Sequence, residues 1–305
     1  MKRYALFGVL LLTAFSSQAT EKENNHSINE YSLRIDTNNA LCIAHANDIE
    51  ALSNYYQKEP IMASINVAPF LENGKNTLRI YFASLTALTG DETFPADARC
   101  QGSVSLVKNN DRRNKTKLAE LIASVDDKLQ PTGKLSVAYQ GNTDISAVSE
   151  GPLNNTILYQ VSREFTVKGL PEWTWTKATP FQATEENIKK LRAAYTEMWH
   201  LLNNKESQKI KEKYEIASQE QDLANDLPPG TWYQSLAVKK NMEKSHGAIP
   251  INWDEYELKI LNHGRLVQYE DRGISPLSLK DKDGELLMSF TPYFSLINGQ
   301  MVITR

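Results

Sequence analysis

The chain has 305 residues, 41% of them hydrophobic, with a formal net charge of −3, which is length enough for two domains with separate cores. A mildly acidic balance without a concentrated basic stripe excludes the electrostatic footprint of nucleic-acid binding, because phosphates demand clustered Lys and Arg. The densest basic tract, "KNNDRRNKTK" from Lys108 to Lys117, also holds Asp111 and three Asn, and reads as a solvated loop.

At the amino end, Lys2 and Arg3 precede an apolar run from Tyr4 to Phe15, followed by Ser17-Gln18-Ala19. The run is shorter than the ~20 residues needed to cross a bilayer, and small residues at Ser17 and Ala19 fit a signal peptidase site. Residues 1–19 are therefore expected to be a signal peptide cleaved after Ala19, sending a mature chain to the periplasm of a Gram-negative bacterium or outside the cell. No membrane insertion of that mature chain is expected. Loss of Lys2 and Arg3 makes it more acidic still. Export places Cys42 and Cys100, the chain's two cysteines, in an oxidising compartment, where they are expected to form a disulfide. No C-x-x-C spacing lowers a thiol pKa for redox work, and two distant Cys without a nearby His pair do not match a zinc set.

From about Ser27 to Phe181 apolar residues recur with period two, the mark of strands with one buried face. "EYSLRI" alternates Tyr31, Leu33 and Ile35; "ASINV" offers Ile65 and Val67 to a core; "TLRIYF" offers Leu78, Ile80 and Phe82; "GSVSLV" offers Val104 and Leu106. Further strands are expected at "KLSVAY" and "TILYQVSREFTVK". Short strands between Gly, Asn and Pro clusters favour a sandwich or barrel. One helix is expected in "HANDIEALSNYYQ", where Ile49, Leu52 and Tyr56 fall at helical spacing behind Asn47 or Asp48 as a cap. "KTKLAELIASVDDKL" fits helix or strand.

"GLPEWTWTKATPF" (Gly169 to Phe181) marks a domain boundary, with residues 20–181 forming a β-rich sandwich-like domain and 182–305 a second, α+β domain. Trp173 and Trp175 alternate with Thr174 and Thr176, which on a strand puts both indoles on one face. Exposed, they would stack on sugars or anchor a partner; buried, they would cement the two halves. Beyond the boundary Thr184 can cap a helix, Glu185 and Glu186 suit its positive end, and Ile188, Leu191, Tyr195, Met198 and Leu202 line one face. "ESQKIKEKYEIASQEQDLAND" continues as a thinner helix until Pro228-Pro229. "TWYQSLAVKKNMEK" can form one more, and from about Tyr256 an antiparallel meander is expected, with Asn298-Gly299 as its clearest hairpin turn.

A paired-helix start followed by a curved antiparallel sheet resembles the cone-shaped α+β fold of the nuclear-transport-factor-like and polyketide-cyclase-like superfamily, over roughly Thr184 to Arg305 and through the helix "LRAAYTEMWHLLNNKESQKIKEKY". The resemblance implies a pocket lined by the inner sheet face and the first helix. The loop "FLENGKNTLRIYF" is similar to the "L-x-x-G-x-N-x-L" element of galactose-binding-type jelly rolls, matched by Leu71, Gly74, Asn76 and Leu78. In those folds the Gly turns the chain and the Asn pins the loop, so Asn73 to Asn76 are expected to be structural and not a sugar site.

Motifs for chemistry are sparse. G-x-S-x-G, H-E-x-x-H, G-x-G-x-x-G and the Walker loop are absent from the sequence, and His26, His45, His200, His246 and His263 are isolated. No cofactor or metal site is expected. "DKDGELLMSFTP" begins like a calcium loop at Asp281 and Asp283 but has Leu286 and Pro292 where an EF-hand needs Gly and Glu, so a β-turn is expected. The best catalytic candidates are His200 on the long helix with Asp254 or Glu257, or paired carboxylates among Asp254, Glu255 and Glu257, as acid and base in a cone pocket. The leading expectation is a non-enzymatic periplasmic binding protein, for another protein or a small apolar ligand, of the immunity or inhibitor kind. An enzyme (hydrolase, lyase or isomerase) using the cone pocket is the rival, and a component of an envelope or surface assembly the third reading.

Overall fold

The computed structural model describes residues 29–55, 59–87, 90, 92–108, 111, 113–140 and 146–305. The expected signal peptide and its cleavage point lie outside the described residues. The chain is a mixed α+β fold, strand-rich in its first half and with its α-helices in the second.

Ten strands make the first half: β1 (Glu30–Asn38), β2 (Leu41–Ala46), β3 (Ile49–Ser53), β4 (Met62–Asn66), β5 (Gly74–Ala83), β6 (Arg99–Val107), β7 (Lys115–Val125), β8 (Pro131–Thr132), β9 (Ser149–Pro152) and β10 (Tyr159–Val167). They form two five-stranded sheets, ordered β4-β1-β6-β7-β8 and β3-β2-β5-β10-β9. Leu33, Ile35, Val104 and Leu121 of one sheet meet Leu78, Ile80, Phe82 and Val161 of the other in a single buried core. Alternation is what lets a strand such as β5 feed that core from one face while the other stays more exposed; β2 is buried on both faces. Cys42 on β2 and Cys100 on β6 are disulfide-bonded across the two sheets, with Cα atoms 5.7 Å apart.

Three local expectations are corrected. The helix foreseen from His45 is instead the end of β2, a turn and β3; Tyr56 of that stretch lies outside the described residues. Asn47 takes a left-handed φ of 55°, and its side chain accepts from Thr77 N and donates to Phe70 O. Pairing of β2 and β3 in the sheet, His45 opposite Arg79 and Ala46 opposite Ile49, outweighs a weak helical preference. "KLSVAY" is a turn leading into a 3₁₀ helix at Val137–Gln140, where buried Ser136 accepts from Ile122 N. Ile65, expected in the core with Val67, is 42% exposed, because β4 is an edge strand, while Val67 is buried. The ambiguous "KTKLAELIASV" is β7.

The second half opens with α1 (Glu185–Asn203), where the Thr184 side chain accepts from Asn187 N. The foreseen second helix divides at Tyr214 into α2 (Ser207–Lys213) and α3 (Glu215–Ala224), and two short helices follow the prolines, α4 (Thr231–Ser235) and α5 (Val238–Lys244). β11 (Glu257–Leu261), β12 (Leu266–Glu270), β15 (Phe294–Ile297) and β16 (Gln300–Ile303) form a sheet in the order β11-β12-β15-β16, and β13 (Ser278–Lys280) pairs with β14 (Leu286–Ser289). Asn298 and Gly299 both have positive φ, 50° and 78°, as a type I′ hairpin requires. Leu191, Tyr195, Met198 and Leu202 of α1 join Val267, Phe294 and Ile303 in a second core. The first core runs in sequence to Trp175 and takes buried Ala224 and Leu266 from beyond it, with Leu261 and Tyr293 packed against it; the second starts at Phe181.

Candidate functional site

Trp173 and Trp175 bracket the start of a 3₁₀ turn (Thr174–Lys177) instead of alternating along a strand. Both are fully buried. Trp173 Nε1 donates to Ala68 O and Trp175 Nε1 to Pro69 O, each at 3.0 Å, and both acceptors belong to the 3₁₀ turn Ala68–Phe70 that precedes β5. The Arg305 guanidinium lies 5.2 Å over the Trp173 ring, and that of Arg265 5.1 Å over Trp175. Arg305 also donates to Pro69 O at 2.7 Å and pairs with Glu220 of α3, whose other oxygen accepts from Thr174 N and Oγ1 at 2.7 and 2.6 Å. Burial drives the Arg305 pKa down to about 10, with Glu220 pulling the other way. Arg265 pairs with Glu72. The indoles therefore belong to the first core, tied to the second half through Arg265, Arg305 and Glu220, and being buried they present no face for sugar stacking or a partner.

Next to that joint the loop before β5 is tightly pinned. Asn76, 2% exposed, donates to Glu72 O and Gly74 O and accepts from Glu72 N and Asn47 Nδ2. Asn73 exchanges two hydrogen bonds with Leu170, and Gly74 supplies a φ of 106° that an L side chain resists. Every one of these polar groups is spent on backbone or on a neighbouring amide.

The catalytic candidates are not brought together. His200 is exposed near the end of α1, its ring edge-on to Trp199. Asp254 and Glu255 sit exposed in the 3₁₀ turn Trp253–Glu255, and Glu257 begins β11. No hydrogen bond or ion pair links His200 to any of them among the described residues. Where the cone likeness implies a pocket between α1 and the sheet, Tyr195 fills the space: its ring lies 4.8 Å from Phe294, 5.9 Å from Tyr269 and 6.2 Å from Trp253. The Tyr195 hydroxyl accepts from Tyr269 N, and complete burial pushes its pKa well above the phenol range. Asp281 closes a turn by accepting from Asp283 N and Glu285 N. Among the described residues no group of three or more His, Cys, Asp or Glu could hold a metal ion.

Open space lies instead along the joint. One hollow of about 740 Å³ is lined by Ile65 and Phe70 of the sandwich, Leu227 and Trp232 after α3, and Met288 and Tyr293 of the second half. Arg305 is the one formally charged residue in its lining. β4 and β14, which supply Ile65 and Met288, are both edge strands. Their sequences, "MASIN" and "LLMS", contain neither charge nor proline, the usual protection of an open edge. Met62, Ile65, Leu286 and Met288 are all exposed. A second hollow, of about 1000 Å³, lies between β3 and β11–β12, lined by Glu50, Glu257, Lys259, Gln268, Glu270 and Asp271 among others. Thr291 and Tyr293 line both hollows. Glu257 is thus a catalytic candidate that lines the second hollow, and its companions there were not among those foreseen. The signal for the first hollow, two uncharged apolar strands, is present in the sequence, but which strands become edges is not. Comparison with protein-family models, characterised proteins and solved structures finds no match for this chain.

Proposed function

We propose that this protein is a non-enzymatic, exported binding protein that holds an extended segment of a partner polypeptide in the apolar hollow between β4 and β14. The observation that carries this reading is an apolar groove flanked by two unprotected strand edges. A strand edge offers a row of backbone donors and acceptors that another extended chain can complete, while a groove beside it takes alternate side chains. Small apolar ligands would use the groove but not the edges. The interior between α1 and its sheet, filled by Tyr195 against Phe294, favours binding over turnover. Export is supported by the Cys42–Cys100 disulfide, and no helix of the described residues is long and apolar enough to cross a membrane.

A displayed library of random heptapeptides panned on the chain tests this. Enriched peptides should alternate apolar residues, bind at least about tenfold more weakly to Ile65→Asp or Met288→Asp, and lose binding when alternate backbone amides are N-methylated. Binding that ignores both substitutions would overturn the reading. Concentration-dependent dimerisation abolished by Ile65→Asp would make a second copy of this chain the occupant instead.

A further inference from the structure

The second hollow differs from the first in charge. Four carboxylates, Glu50, Glu257, Glu270 and Asp271, face it against two cations, Lys259 and Arg272. Lys259 is paired with Glu270 at 2.5 Å, and Arg272 lies 3.9 Å from Asp271. Glu50 receives one long hydrogen bond, from Tyr55 at 3.4 Å. The hollow is thus left with excess negative charge at Glu50 and Glu257, both exposed at its rim.

Its floor carries an independent sign of a missing partner. Gln268 is 5% exposed. Its Nε2 donates to Glu270 Oε2 at 3.5 Å, which sets the amide so that Oε1 is the remaining atom, and Oε1 has no hydrogen-bond partner. A buried acceptor left unsatisfied is costly. The acidic field is also felt by Tyr293 at the boundary of the two hollows: burial first, then Glu270 and Glu50, push its phenol up to about 12, against the Gln268 side-chain amide, whose hydrogen bond pulls it down.

We infer that the hollow between β3 and β11–β12 is a cation site that receives a basic side chain, Arg or Lys, through Glu50, Glu257 and the free acceptor of Gln268. Several N–H donors on one positive group suit this set: charge for the two rim carboxylates, a hydrogen for the orphan oxygen. Thr291 and Tyr293 border both hollows, so the basic residue adjoins the apolar run of the bound segment. That last assignment rests on the function proposed above; the cation site itself does not.

The test is titration of the isotope-labelled chain with N-acetyl-arginine amide, and with N-acetyl-citrulline amide as its neutral counterpart, followed by NMR at the Gln268 side-chain amide. The arginine probe should shift that signal saturably, at least about tenfold more tightly than citrulline, and more weakly as salt rises. Glu50→Gln with Glu257→Gln should remove that preference while leaving the spectrum folded, and Gln268→Met, followed at the backbone amides of Glu50 and Glu257 that shift in the parent chain, should weaken the arginine probe in a chain whose rim is intact. No saturable shift, equal binding of the two probes, or a preference that survives the double substitution would overturn the site. If arginine binds here while no apolar peptide binds beside β4, the cation site stands and the polypeptide-binding reading falls. If selected peptides bind beside β4 but keep their affinity when their basic residues become citrulline or Ala, the polypeptide reading stands and the basic-residue assignment falls.

Discussion

Glu220→Ala should be the most damaging single truncation at the joint. The Arg305 side chain is 0% exposed and that of Glu220 15%, so this pair is shielded from solvent screening. Removing the carboxylate strips Arg305 of its counter-charge, while Nη2 already has no partner, and leaves Thr174 N and Oγ1 without their acceptor. Breaking one side of a buried ion pair costs about 3–5 kcal/mol, most of it the penalty of stranding the other charge. Arg305 keeps Pro69 O and its place over Trp173, which puts the expected loss at the lower end of that range, roughly 3 kcal/mol. Urea unfolding followed by tryptophan fluorescence reads it, since two of the five tryptophans sit in the joint. Glu220→Gln combined with Arg305→Met should cost less than Glu220→Ala alone, because no charge is then stranded. Glu186→Ala, which breaks an exposed pair with Lys190 and removes one charge from the positive end of α1, should cost no more than about 1 kcal/mol. A loss under about 1 kcal/mol for Glu220→Ala, or a double variant as unstable as the sum of its parts, would refute the reasoning.

Further outcomes follow from the same geometry. With a sequence separation of 58 residues, replacing Cys42 and Cys100 by Ala should cost about 4 kcal/mol in the chain-entropy account, read as a lowered urea midpoint against the oxidised protein. Asn76→Ala should cost about 1–3 kcal/mol, as half-buried Glu72 N and its neighbours lose their partners; thermal unfolding checks it, and an unchanged midpoint would mean the loop does not depend on this side chain. His45 is held down to about 4, chiefly by burial and then by Arg79. Its folded pKa thus lies below the unfolded value, so the folded state binds fewer protons between them. Its contribution is intact above pH ~6.5 and is lost as pH falls toward ~4, on the order of 3 kcal/mol. His45→Gln should flatten stability against pH in that window, and an unchanged slope would reject His45 as its source.

Much of the secondary structure was legible because it depends on local repetition. The stripe Leu191, Tyr195, Met198, Leu202 specifies α1 and its buried face, and Asn298-Gly299 specifies a hairpin, since each pattern has one geometric solution within a few residues. The pinning role of Asn76 was legible for the same reason: its partners Glu72 and Gly74 are four and two residues away. The segment from His45 was misread because its choice depended on β5, some thirty residues on, whose edge rewarded pairing over helix. Ile65 was misread because alternation identifies a strand but not its place in a sheet.

By itself, then, the amino-acid order determined the strand-rich first half, the helix that opens the second, the expected pairing of Cys42 with Cys100, and the lack of familiar catalytic motifs. Only the tertiary structure decided that Trp173 and Trp175 lie inside the joint, that Arg305 and Glu220 meet there, and that Ile65 and Met288 share one groove. Periodicity is set by bonds between near neighbours, whereas a joint or a groove is made by side chains far apart in the chain, 85 residues for Arg305 and Glu220, and their meeting depends on how whole sheets pack. Physical adjacency of that kind leaves no repeat in the chain to read.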